Sequence, residues 1–186
     1  MRDAVRRDAA AGYDAALAAP AAGPADAAVV SAQLGRPARG APAVVHRCGH
    51  GLPTVVRVAP RLEDGTPFPT LFWLSCPALR AAVGRLEADH LMVALTDRLA
   101  SDPAYASDYA ASSDRYVAAR DALGVVLDGA PTAGGMPARV KCLHVHVAHH
   151  LATGDNVVGA SALDALLPLA CPAPCVPEAP SVPDAA

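Results

Sequence analysis

Lysine is nearly absent from this 186-residue chain: one of its 15 basic residues is Lys141, and the rest are arginines. Aromatics are scarce too, with one Trp, two Phe and four Tyr. No apolar run approaches the ~18–20 residues of a membrane span, so no membrane partner is expected. With 18 acidic residues and a net charge of −3 the chain is not a generally basic nucleic-acid binder. A secretory signal needs ~7–15 uninterrupted apolar residues. Asp3, Asp8 and Asp14 interrupt the N-terminus, and Leu17 is the one large aliphatic between Val5 and Val29. The expected compartment is therefore the cytoplasm, where thiols stay reduced and cysteine serves metal binding, catalysis or core filling more often than disulfides. Also missing is a compact Cys-x2-Cys pair, the strongest zinc signature in a sequence.

What is abundant is alanine, 44 residues of it. Alanine buries little surface, so the 53% hydrophobic content overstates the core. Against this plain background stand five Cys and seven His. They are the residues through which a small Ala-rich domain would carry chemistry.

The pattern predicts an α+β single domain with a two- or three-stranded sheet and four to five helices. Residues 1–25 read as a disordered or loosely helical extension, and 26–170 as the globular part. Residues 171–186 hold five prolines, which neither a helix nor a central strand accommodates, and read as an extended tail. A helix over 26–34 stops at Gly35. Strands are expected at 43–48, 54–59 and 70–75, the first two joined through a Gly- and Pro-containing turn. Pro77 opens one long helix or two broken near Asp89. Asp102-Pro103 supplies an N-cap and a first-turn proline for a helix over 103–123, with Tyr105, Tyr109 and Tyr116 on one face. Residues 128–135 form a loop. Pro137 is expected to open a helix that Gly154 ends, and a last helix spans about 160–170.

The segment from Arg139 to Leu151 is the most informative. At 100° per residue Val140, Leu143, Val147 and Leu151 share a stripe that should face the core. Cys142, His146 and His149 fall together elsewhere on the helix, three and four residues apart, with His150 at the margin. His144 lies on the apolar stripe, either as a satisfied core residue or facing a buried site. Cys48 and Cys76 end the first and third strand candidates, where paired strands bring side chains together. Three thiols and a histidine suit tetrahedral zinc, and three thiolates with a fourth suit an iron–sulfur cluster. Cys171 and Cys175 could join only if the tail folds back. The plainer alternative is that the cysteines fill the core and the histidines are solvated. His46 and His50 look like surface or turn residues, and His90 like a helix end. Cys76 at a helix N-terminus could be an activated thiol with a histidine partner. Arg139 and Lys141, placed in the first turn of a helix, could hold an anion. Asp64 and Glu87 form no recognisable carboxylate pair.

Several blocks resemble a bacterial family common in actinobacteria, domain of unknown function 501. They are QLGRPARG (33–40), RCGHGLPTVV (47–56), PRLEDGTPFPTLFWLSCP (60–77), RLEA (85–88) and GGMPARVKCLHVHVAHHLATG (135–154). The resemblance spans about residues 27–160. After Gly154 it leads one to look for Asn-Pro-x-Gly, where this chain has DNVVG. The matched blocks contain Cys48, Cys76, Cys142, His144 and His149, together with Arg47, Asp64 and Lys141. His46, His50, His146 and His150 look like local additions. The family carries no established activity. Its genes tend to neighbour those of a septum-formation protein and an exopolyphosphatase, an association without physical warrant.

Three readings follow. The first is a cytoplasmic protein that binds zinc or an iron–sulfur cluster through Cys48, Cys76 and Cys142 with His149 or His144. The second is a non-enzymatic module for a protein partner, linked to cell division or polyphosphate metabolism. The third is a thiol enzyme built on Cys76 and acting on a small molecule.

Overall fold

The two valine-rich runs form the antiparallel pair their composition predicts. In this computed structural model, which describes residues 2–123, 132–166 and 171–177, β1 is Ala43–Arg47 and β2 is Pro53–Arg57. Val44 lies opposite Val56, and Ala43 opposite Arg57. The turn between them is tight. The Cys48 N–H donates to the Leu52 carbonyl, and the Gly51 N–H to the Cys48 carbonyl, each at 2.9 Å. Gly51 sits at φ 73°, a left-handed conformation that glycine adopts without a side-chain clash. β3 (Phe72–Leu74) pairs antiparallel with β2, so the sheet order is β1-β2-β3.

Among the described residues seven helices accompany the sheet: α1 Arg2–Ala18, α2 Pro24–Leu34, α3 Pro77–Ala88, α4 Leu91–Ser101, α5 Pro103–Asp121, α6 Leu143–Thr153 and α7 Val157–Asp164. The α+β class is as expected, with more helices than the four to five read from the pattern. The break near Asp89 follows one of the two alternatives expected there: His90 takes a left-handed φ of 64° and separates α3 from α4. The helix not expected as part of the domain is α1, in the stretch read as a disordered or loosely helical extension. Ala9, Tyr13 and Ala16 are buried there. A Cβ on Gly12 would come within 2.2 Å of the Thr153 carbonyl oxygen. Helix α1 therefore docks directly on α6, and the globular part begins well before residue 26. Alanine and glycine let two backbones approach this closely, a packing role that periodicity of large residues does not reveal.

Helix α6 begins later than expected. Pro137 does not open it; residues 134–138 form turns and 139–142 carry no regular structure. Gly134 and Gly135, at φ 65° and 93°, fold the chain back so that the Lys141 N–H donates to the Gly134 carbonyl at 2.7 Å. The last helix is α7 rather than a segment over 160–170, and residues 167–170 of that expectation lie outside the described ones, as do 178–186 of the tail and 128–131 of the loop.

The sheet is buried on both faces. Val55, Phe72 and Leu74 join the main core with Tyr13, Tyr109, Tyr116, Leu143 and Val147. Val56 and Val58 pack on the other face with Val30 of α2. Helix α5 starts as expected, with the Asp102 carboxylate accepting from the Tyr105 N–H at 3.0 Å. Its tyrosines line the core: the Tyr116 hydroxyl accepts from the Leu71 N–H at 2.6 Å. Among the described residues no helix is long and apolar enough to cross a membrane.

Candidate metal centre

Helix α6 is aimed by a carboxylate from another helix. Its first N–H groups have no partner within the helix. Glu87, near the C-terminal end of α3, accepts the Leu143 N–H at 2.7 Å. The same oxygen, Oε1, lies 3.1 Å from His144 Nδ1. Cys142, the N-cap residue of α6, places its sulfur 4.0 Å from that nitrogen. The far side of the ring is committed elsewhere, since His144 Nε2–H donates to the Arg80 carbonyl at 3.1 Å. Nδ1 is thereby turned toward the thiol and the carboxylate. One donor atom from each of Glu87, Cys142 and His144 lies within 4.8 Å of the other two, and all three residues are half-buried.

The electrostatics follow from this packing. The Cys142 sulfur, then the Glu87 carboxylate, raise His144 to about 9 against the opposing effect of partial burial. In the absence of a metal the imidazole is a cation facing a thiol and a carboxylate. Cys142 and His144 also line a cavity of about 280 Å³, with Trp73 and Leu74 of β3 and Arg80 of α3 on its walls. A larger cavity of about 340 Å³ on the outer face of the sheet is walled by Val30, Val56, Phe68 and Trp73. Its walls hold no thiol, imidazole or carboxylate.

The expected ligand set is thus divided. Cys142 and His144 meet, and Glu87 joins them from 57 residues away along the chain. Glu87 had no local sequence signal beyond its place in RLEA. The expectation that Cys48 and Cys76 share a site with Cys142 is not met: among the described residues the one such cluster is Glu87, Cys142 and His144. Cys48 opens the β1–β2 turn and Cys76 caps α3. Burial pushes the Cys76 thiol up, outweighing the Leu79 and Ala78 N–H groups that lower it, which removes the basis for an activated Cys76. Arg139 and Lys141 precede α6 and are exposed, so they are not in the first turn of a helix, the place expected for them.

His149 is no ligand either. It is fully buried, and both ring nitrogens are engaged. Asn156 Nδ2 donates to His149 Nδ1 at 3.0 Å and to His146 Nδ1 at 3.4 Å. His149 Nε2 meets the Tyr13 hydroxyl in a short contact. His146 Nε2 lies 3.1 Å from the Gly134 carbonyl, so its proton sits there. One asparagine amide therefore serves two neutral imidazoles with its two hydrogens. Burial lowers His146 to about 4 and holds His149 well below its usual value. His144, the histidine on the apolar stripe, is the one that reaches the cavity; His146 and His149 are structural.

This is an α+β domain with a Glu/Cys/His cluster, two of whose members, Cys142 and His144, line a cavity. Comparison with family models matches residues 44–164, more than half of the chain, to a family described as proteins of unknown function, DUF501. The chain belongs to that family. Comparison with curated proteins and with solved structures returns no match. The matched span runs from Val44 in β1 to the end of α7, and includes Glu87, Cys142 and His144. The DNVVG segment, read as a departure from Asn-Pro-x-Gly, keeps the two residues that matter. Asn156 Oδ1 accepts from the Gly159 N–H at 2.8 Å and caps α7. A Cβ on Gly159 would stand 2.1 Å from the His146 carbonyl oxygen. Val157 takes the first helical position, where proline is tolerated but not required.

Proposed function

We propose that the chain binds one zinc ion through Glu87, Cys142 and His144. The observation that carries this reading is the convergence of a carboxylate oxygen, a thiol and an imidazole nitrogen within 4.8 Å. A filled tetrahedral site, with ligands ~2.0–2.3 Å from the metal, separates its donors by about 3.3–3.8 Å. The His144 Nε2–H bond to the Arg80 carbonyl supports it, because ligating histidines are characteristically oriented by such a bond on their other nitrogen. Three protein ligands leave a fourth position open beside the cavity that Cys142 and His144 line, the arrangement that lets zinc lower the pKa of a bound water. An iron–sulfur cluster needs three or four thiolates, and this site offers one, so zinc is favoured. A reducing cytoplasm would keep Cys142 available.

The test is zinc binding to reduced, full-length protein by equilibrium dialysis with metal analysis. Cys142→Ser and His144→Ala should each lose one equivalent relative to the parent chain. Unchanged stoichiometry in both variants refutes the site. A second reading rests on the 4.0 Å Cys142–His144 approach, which also suits a thiolate–imidazolium nucleophile. It predicts that metal-free protein is alkylated at Cys142 faster than free cysteine, and that zinc has no affinity for this cluster.

A further inference from the structure

Four of the five cysteines, all but Cys142, lie on segments that meet around the start of β2. Cys48 opens the turn that leads into it. His50, in the same turn, meets the Cys171 carbonyl with Nε2 at 2.9 Å. Gln33 of α2 reaches with its Nε2 to the Pro53 carbonyl at 2.8 Å and to Cys175 Sγ at 3.4 Å. The Pro53 carbonyl also accepts from Ser75 Oγ at 3.4 Å. Next to Ser75 is Cys76, whose N–H donates to the Thr54 carbonyl at 3.5 Å. The C-terminal segment 171–177 thus folds back onto the junction of α2, β2 and α3.

A second, independent feature marks the same place. Gln33 Oε1 and Thr54 Oγ1 are buried and have no hydrogen-bond partner among the described residues. Those residues are 6% and 3% exposed. Buried polar oxygens without partners are uncommon in folded proteins and signal an ion or water that completes them. Here both belong to residues whose other polar atoms hold Cys175 or Cys76.

We propose that Cys48, Cys76, Cys171 and Cys175 form a second, tetrathiolate zinc site that clasps the C-terminal segment to the sheet. Cys171 and Cys175 are spaced as one arm of a structural zinc site is, with three residues between them. Cys48 and Cys76 supply the other ligands from the β1–β2 turn and the N-cap of α3. All four are free thiols, and Cys175 is exposed. No three of these sulfurs lie within 4.8 Å of one another, so binding requires zinc to draw the Cys171–Cys175 arm onto Cys48 and Cys76. Each thiol loses its proton to solvent on binding, and no electrons are exchanged.

Alkylation of the reduced full-length chain, with and without added zinc and mapped by peptide mass, tests the site. Zinc should protect Cys48, Cys76, Cys171 and Cys175 together, in the parent chain and in Cys142→Ser alike. The double variant Cys171→Ser/Cys175→Ser should bind one equivalent less zinc and keep the equivalent held by Glu87, Cys142 and His144. Equal alkylation of Cys171 and Cys175 with and without zinc overturns the proposal, as does undiminished zinc binding by the double variant. Protection in the parent chain decides the matter if the double variant fails to fold.

Discussion

Truncating Asn156 to alanine removes three hydrogen bonds from a site with no solvent access. Its Oδ1 caps α7 at the Gly159 N–H, and its Nδ2 serves the Nδ1 atoms of His149 and His146. Loss of the cap is worth about 1 kcal/mol. Each buried imidazole acceptor left without a donor adds about 1–2 kcal/mol. The expected destabilisation of Asn156→Ala is therefore about 3–5 kcal/mol, large against the ~5–15 kcal/mol of a typical domain. Urea unfolding at pH 8 should show it as a fall of roughly 1.5–2.5 M in the midpoint at an m-value near ~2 kcal/mol/M. The slope itself should stay unchanged. Asn156→Asp keeps the cap oxygen but donates nothing at that pH and buries an unpaired carboxylate, which offsets the capping gain. It should regain stability as the pH falls, because a carboxylate between two imidazoles favours their protonation. A loss below about 1 kcal/mol in Asn156→Ala would refute the shared-amide arrangement.

The wild-type chain should lose stability in mild acid. His146 titrates at about 4 in the fold and near 6.5 unfolded, and His149 is lowered further in the same direction. The unfolded chain takes up these protons first, so the stabilisation is complete above about pH 7 and declines as pH falls below 6.5 toward 4. With two sites the slope approaches about 2.7 kcal/mol per pH unit near pH 5, where His144, raised to about 9, is protonated in both states and adds no slope; equal urea midpoints at pH 6 and pH 5 would contradict it. Gly159→Ala should lower stability by about 2 kcal/mol or more through overpacking, because its Cβ would stand 2.1 Å from the His146 carbonyl oxygen; an unchanged melting temperature would show that α6 and α7 part freely. Arg115→Met should cost about 2 kcal/mol by leaving a buried carboxylate unpaired, since Arg115 holds Asp155 with two bonds of 2.6 Å. Asp155→Asn/Arg115→Met should restore part of that loss, and no recovery in the double variant would argue against the pair.

Local chemistry determined much of this protein before it folded. Valine runs became β1 and β2, Asp102-Pro103 began α5, and Gly35 and Gly154 ended their helices with left-handed caps, since each signal acts within a few residues. The pairing of Cys142 with His144 was within reach because they are two residues apart on one helix end. Tertiary structure decided the rest. Glu87 joins the site only because α3 packs against α6, and a carboxylate 56 residues from Leu143 leaves no local pattern. His149 looked like a ligand by spacing, yet the docking of α1 brings Tyr13 to its outer nitrogen and Asn156 takes the inner one. The helix expected from Pro137 gave way to a turn because two left-handed glycines close it through the Gly134–Lys141 bond. Periodicity tells which side of a helix a residue occupies, but the neighbour on that side is set by how distant segments pack, and in this chain that neighbour separates a candidate metal ligand from a buried structural histidine.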